Sequence, residues 1–293
     1  MVPDLRVRPV NDRPLRADGA YVLYWMTAHR RPYWNHALQR AVEQAKALGK
    51  PLLVVEALGL RYSWASDRLH RFVIAGMAAN AAAFARGSAT YVPWVEGAPG
   101  QLPGGELLAT LDAQACLVVC DEFPCFIQPG LVAALAARVT VRCEAVDANG
   151  LLPLRATEGA KDRAYDFRRL LQKTLRPHLG QFPAEDPLRR AHLPPLLRLP
   201  AGIAPADLPA LLAGGIVALP IDHRVGPALQ QGGWQEADRA LDGFVAANLD
   251  RYAESRSDIE AEAASGLSPY LHFGHLSAHQ VVAAVWALSL IHI

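Results

Sequence analysis

Apolar and polar positions change rhythm several times along the chain, and the changes lay out a fold. Residues 21–26 (YVLYWM) and 51–57 (PLLVVEA) are near-continuous apolar runs, as strands buried on both faces would be. Residues 89–95, 115–120 and 139–146 supply three more runs, the first interrupted by Pro93, which predicts an edge strand. Between the runs the period lengthens to that of a helix. Ala37, Leu38, Ala41, Val42, Ala45 and Leu48 form one stripe over 34–48, and Gly49 stops it. Leu69, Phe72, Val73, Gly76, Met77 and Asn80 do the same over 67–84, and a further helix is expected over 128–137. Strand and helix alternate from 21 to 147, which predicts an α/β fold: a doubly wound, Rossmann-like parallel sheet with helices on both faces.

The rhythm then breaks. Nine prolines fall between Pro177 and Pro220, a density that excludes long helices and predicts an extended connector. A short helix is expected just before it, over 161–175, with Arg163, Arg168, Arg169 and Lys173 on the outside. That cluster reads as a solvated helix face or, more sharply, as a phosphate-contacting one. From Trp234 onward the pattern is helical without strands. Ala237, Leu241, Phe244, Val245, Asn248, Leu249 and Tyr252 make one stripe over 237–252, and another helix starts at Ser277.

A chain of 293 residues can bury a sizeable core, and 52% apolar composition is ordinary for a globular protein. No stretch has the uninterrupted apolar length of a membrane helix, and the N-terminus lacks the apolar centre of a signal peptide. A cytoplasmic protein is expected. Cys116, Cys120, Cys125 and Cys143 have no partner set at zinc spacing and are expected as buried free thiols. Net charge of +1 gives no global basic field, so nucleic-acid binding would need a local basic face. No G-x-G-x-x-G accompanies the α/β half, so the usual dinucleotide fingerprint is missing.

The most informative segment comes late: Ser265-Gly266-Leu267-Ser268-Pro269-Tyr270-Leu271-His272-Phe273-Gly274-His275. Ser268 before Pro269 predicts a helix start with the serine hydroxyl as cap, and free N–H groups at such a start favour an anion such as phosphate. Ser265 and Gly266 add a hydroxyl and room for close approach to the backbone.

This segment resembles the flavin-binding stretch of the DNA photolyase/cryptochrome family, most closely bacterial photolyases of a class II-like type. Tyr24-Trp25-Met26-Thr27, Trp34-Asn35-His36-Ala37-Leu38, Asp67-Arg68-Leu69-His70-Arg71-Phe72 and Val119-Cys120-Asp121-Glu122-Phe123-Pro124 resemble the family's antenna-type domain. So does Glu144-Ala145-Val146-Asp147, while Pro220-Ile221-Asp222-His223 and Arg251-Tyr252-Ala253-Glu254 resemble the way into its helical domain.

The resemblance implies FAD as cofactor, with Tyr252 reaching the flavin phosphates and Ser265, Gly266, Leu267 and Ser268 lining the diphosphate. It also implies light-driven electron transfer from reduced FAD to cyclobutane pyrimidine dimers, UV-damaged DNA as partner, a monomer, and an antenna chromophore that no fingerprint identifies. A cryptochrome-like blue-light sensor without repair is the alternative. His272, His275 and His279 lie in or beside the signature, and no metal is expected there. The domain plan that follows is 1–148 antenna-type α/β, 149–232 connector, 233–287 the beginning of the helical FAD domain, and 288–293 a non-native tail. That tail back-translates to a sequencing-adapter end, so the chain is expected to be truncated at its C-terminus, with an incomplete flavin pocket and little activity of its own.

Overall fold

The computed structural model describes residues 1–157, 159 and 162–291. The chain enters through a short antiparallel strand β1 (Val7–Pro9) and then runs β2 (Tyr21–Met26), α1 (His36–Leu48), β3 (Leu52–Leu58), α2 (Asp67–Phe84) and β4 (Thr90–Val95). It continues α3 (Gly104–Asp112), β5 (Ala115–Glu122), α4 (Gln128–Arg138) and β6 (Cys143–Asp147). The six strands lie in the order β1-β6-β5-β2-β3-β4, all parallel except β1, which pairs antiparallel with β6. This is the doubly wound sheet the apolar runs predict, with the Pro93 strand at the edge.

Alternate residues of each central strand enter opposite cores. Leu23, Leu53, Val55, Val118 and Cys120 join one apolar layer; Val22, Tyr24, Leu52, Val54, Leu117 and Val119 join the other. Burial on both faces explains why the strands read as continuous apolar runs rather than as alternation. Helix α1 is fixed at both ends. Asn35 Oδ1 accepts from the N–H groups of Ala37 and Leu38 at 2.9 and 3.2 Å, a cap that stabilises by about 1 kcal/mol. Gly49 closes the other end at φ 61°, a conformation other residues reach only with strain.

Four expectations shift. The run at 139–146 pairs only from Cys143 onward, because Thr140 is held in a loop by the Asp112 carboxylate. Strand β1 and helix α3 were not anticipated. The helix expected over 237–252 is two: α7 (Trp234–Ala247) and α8 (Leu249–Ser255), broken at Asn248. Cys125 is exposed, in the turn between β5 and α4 and outside the sheet that buries the other three cysteines.

The stretch after β6 carries α5 (Ala164–Thr174) and, among the prolines, only the five-residue α6 (Leu208–Leu212). Its apolar residues are distributed over the α/β half: Ala191 and Leu193 in one sheet layer, Ile203 in the other, and Leu208, Leu211 and Leu219 against α2 and β4. The chain ends in α9 (Ser268–His272) and α10 (Ala278–Ile291). Of the 288–293 segment, 288–291 continue α10, and His292 and Ile293 lie outside the described residues.

Candidate functional site

In an open parallel sheet the usual ligand crevice lies at the carboxyl ends of the strands where the winding reverses, here between β2 and β5. The chain fills that place with its own anion. The N–H groups of Thr27, Ala28 and His29 donate to Asp121 Oδ2 at 2.8, 2.7 and 2.9 Å, and the Tyr24 hydroxyl donates to Oδ1 at 2.6 Å. Asp121 is fully buried. Burial, and then the Asp121 charge, push the Tyr24 phenol well above its ordinary pKa. A carboxylate satisfied by three convergent N–H groups occupies the position a phosphate would take, which accounts physically for the missing glycine-rich fingerprint.

The flavin-type residues lie in the helical half. The Asn248 amide donates to the backbone oxygens of Glu262 and Ala264 at 3.2 and 3.4 Å, so the chain returns past the start of α8 just before Ser265. Tyr252 is one turn further along α8, half-buried, edge-on to Phe244 at 5.2 Å and with the Arg256 guanidinium 5.8 Å from its ring centroid. Tyr252 and Leu267 pack in the same apolar cluster. Ser265 is half-buried, Gly266 and Ser268 are exposed, and Leu267 is the buried anchor. Gly266 adopts φ 69° with open space where a Cβ would stand.

The cap differs from the expectation. Ser268 is the first residue of α9, Leu267 is in the cap position, and no side chain caps the helix. The hydroxyl that bonds locally is that of Ser265, which accepts from Leu267 N–H at 3.4 Å. Proline at the first turn sets the helical φ without a hydroxyl cap, leaving the Ser268 side chain in solvent.

The second half of the signature docks onto the α/β half. A Cβ on Gly274 would stand 1.8 Å from the Ala28 carbonyl oxygen, so the two backbones touch. The buried Arg31 guanidinium donates to the carbonyls of Gly274 (2.9 Å), Trp34 (3.2 Å) and Ala148 (3.4 Å). His275 Nδ1 accepts from Gly233 N–H at 3.0 Å, and its ring stacks on Phe72 at 5.0 Å. Its Nε2 faces Gly76, where a Cβ would come within 2.4 Å. His279 lies against Arg6 at 3.4 Å and edge-on to His36 at 5.2 Å. Burial, reinforced by the nearby arginines, lowers His275 and His279 to about 3 and His36 to about 2, so all three are neutral. His272 is exposed, edge-on to Phe126 at 5.4 Å. The three signature histidines thus point into three different surroundings. Asp121, Arg31, Gly76 and Gly274 carry the architecture of this region; Gly76 lies on the α2 stripe and Gly274 in the signature, while the roles of Asp121 and Arg31 have no local signal in the sequence.

The exposed Ser268 hydroxyl, the half-buried Ser265 hydroxyl and Tyr252 phenol, and the glycine with open space fit a diphosphate. The cluster shared by Tyr252 and Leu267 is what ties the phenol to this stretch.

An α/β sheet half followed by a helical half is the layout of the chain. No family model matches the chain. Over 279 residues it is 29% identical to the deoxyribodipyrimidine photo-lyase of Methanothermobacter thermautotrophicus, covering 94% of this chain and 58% of that protein. It is 32% identical to the deoxyribodipyrimidine photo-lyase of Oryza sativa subsp. japonica, covering 89% of this chain and 52% of that one. Its fold is that of a bacterial class III photolyase from Agrobacterium tumefaciens, with a TM-score of 0.71, 21% identity, and coverage of 93% of this chain and 54% of the other. The chain belongs to the DNA photolyase/cryptochrome family. It spans somewhat more than half the length of these curated relatives. The class II-like detail has no counterpart among them.

Proposed function

We propose that the protein, at the length of its relatives, is a cytoplasmic, FAD-dependent deoxyribodipyrimidine photolyase acting on UV-damaged DNA. The observation that carries this reading is an alignment covering 94% of the chain, which runs through the sheet and into the helical half. When bound, reduced FAD would supply the light-driven electron that splits a cyclobutane dimer. The part played by this chain's own residues is to hold the cofactor. The Tyr252 hydroxyl would donate to a phosphate oxygen, and the hydroxyls of Ser265 and Ser268 to the diphosphate, with Gly266 allowing close approach and Leu267 anchoring the loop. Charge-assisted hydrogen bonds of this kind each contribute about 1.5–3 kcal/mol. Among the described residues no helix is long and apolar enough to cross a membrane, in keeping with a DNA-directed role.

The test is illumination of UV-irradiated oligonucleotide with full-length protein and FAD, counting thymine dimers in light and dark. Light-dependent loss of dimers is expected. Flavin binding with equal dimer counts in light and dark would move the assignment to a photosensor.

A further inference from the structure

The basic cluster on α5 stays outside the flavin reading, and the structure gives it a shape. Tyr165, Arg168, Arg169, Gln172, Lys173 and Arg176 recur at steps of three and four, along one face of α5 and the short 3-10 turn that follows it. Leu170, Leu171 and Thr174 take what burial the helix has, which leaves the basic face outward. Among the described residues, none of these four cations is in an ion pair. Arg61 and Arg224, just as exposed, hold carboxylates at 3.1 and 2.9 Å. Asp162 and Asp166, the acidic groups closest along the chain, sit at or just before the first turn of α5, where the helix dipole favours negative charge. The Arg169 guanidinium lies 5.8 Å from the Tyr165 ring centroid, which steadies both side chains on the stripe.

We propose that this face of α5 docks the sugar-phosphate backbone of nucleic acid, without regard to damage or base sequence. Four unpaired cations over roughly 12 Å of helix meet a duplex that carries one negative charge per about 1.7 Å of axis. Arginine suits the geometry, since its planar fork takes two phosphate oxygens at once. An anionic lipid surface fits less well, because on the face opposite the cations Leu170 and Leu171 are half-buried and only Phe167, 47% exposed, is free to insert.

The experiment is fluorescence anisotropy of a labelled, undamaged duplex of about 20 base pairs, titrated with protein between about 50 and 200 mM salt. The parent chain binds, and R168A/R169A/K173A binds at least about tenfold more weakly at the lowest salt, with the log–log salt slope reduced by about two to three. R61A/R224A, which removes two exposed but paired arginines, leaves both quantities unchanged. R168K/R169K keeps most of the binding, which separates lost charge from a damaged helix. Parent-like affinity and slope in the triple variant would overturn the proposal, as would no binding by the parent at the lowest salt. Binding to phosphatidylserine vesicles through this stripe, but not to the duplex, would also overturn it. Because the probe is undamaged DNA and needs neither flavin nor light, this outcome and that of the repair assay are independent.

Discussion

The switch point of the sheet and the Tyr252 and Ser265–Ser268 stretch of the helical half differ in where they leave their polar groups. At the carboxyl ends of the central strands in the α/β half, two buried carboxylates are matched by donors: Asp121 takes four, and Glu56 holds Arg30, Asn80 and the Tyr91 hydroxyl. In the helical half the polar groups of the Tyr252 and Ser265–Ser268 stretch are at least partly exposed, and the apolar cluster beneath is small. A region that satisfies its own polar groups is closed to ligands at that place, whereas one that leaves them in solvent can offer them to a partner. The sheet half is therefore scaffold at its switch point, and the polar groups left accessible are those of the helical segment.

Asp121→Ala should have the largest effect of the substitutions. It strips a fully buried site of its acceptor and orphans three N–H groups and a phenol. The expected loss is about 5 kcal/mol, or failure to fold, in urea denaturation. A loss below about 1 kcal/mol would mean that the crevice is solvated and the contrast between the halves is wrong.

Acid comes next. His36, His275 and His279 are all lowered in the folded state, so their contribution is complete above the unfolded histidine value near 6.5 and is lost as pH falls towards their folded values near 2 to 3. Each can cost up to about 1.4 kcal/mol per pH unit in that window, and up to about 7 kcal/mol in total is expected from the three between pH 6.5 and 4.5. His223 has the opposite sign. Its Nδ1 meets Asp67 Oδ1 at 2.8 Å and its Nε2 meets the Leu219 carbonyl at 2.9 Å, so two acceptors hold it protonated and raise its pKa. That contribution is full below pH about 6.5 and fades as pH rises through the folded value. Hydrogen exchange at pH 5 should show α9 and α10 opening ahead of β2 and β5; simultaneous opening would remove the distinction between the halves.

Arg31→Met is smaller and local. Three carbonyls lose their shared donor, at a cost of about 2 kcal/mol. Exchange in the 268–291 segment should speed up by about tenfold or more, while the central strands keep their protection. Tyr252→Phe should leave stability within about 0.5 kcal/mol and weaken FAD binding to the full-length protein by about tenfold, read by flavin fluorescence. Unchanged affinity would take Tyr252 out of the candidate site.

What could be read in the sequence was what repeats locally. Helix α2 occupies the expected 67–84, because its apolar stripe and its Asp67 start are both local signals. Pro93 marked the edge strand because a missing donor matters only where a neighbour would accept it. Strand β1 is three residues ending in proline and exists only through its pairing with β6, more than 130 residues away. Helix α3 was hidden by Gly104 and Gly105 at its start, although Leu107, Leu108 and Leu111 carry the stripe. The stripe over 237–252 runs unbroken through Asn248, and only the amide's bonds to Glu262 and Ala264 reveal the break. Asp121 could not be recognised as an internal anion, because its donors lie more than 90 positions earlier. For the candidate site, the signature named the residues, and the serine hydroxyl that bonds locally is that of Ser265 rather than Ser268.

The Gly274–Ala28 contact has a practical corollary for anyone recombining such proteins. Main chain meets main chain there, with no room for a methyl group, so the seam cannot be retuned by choosing a different side chain. A chimera that grafts a foreign helical segment onto this sheet must import the glycine and the matching loop together, or the two parts will not close.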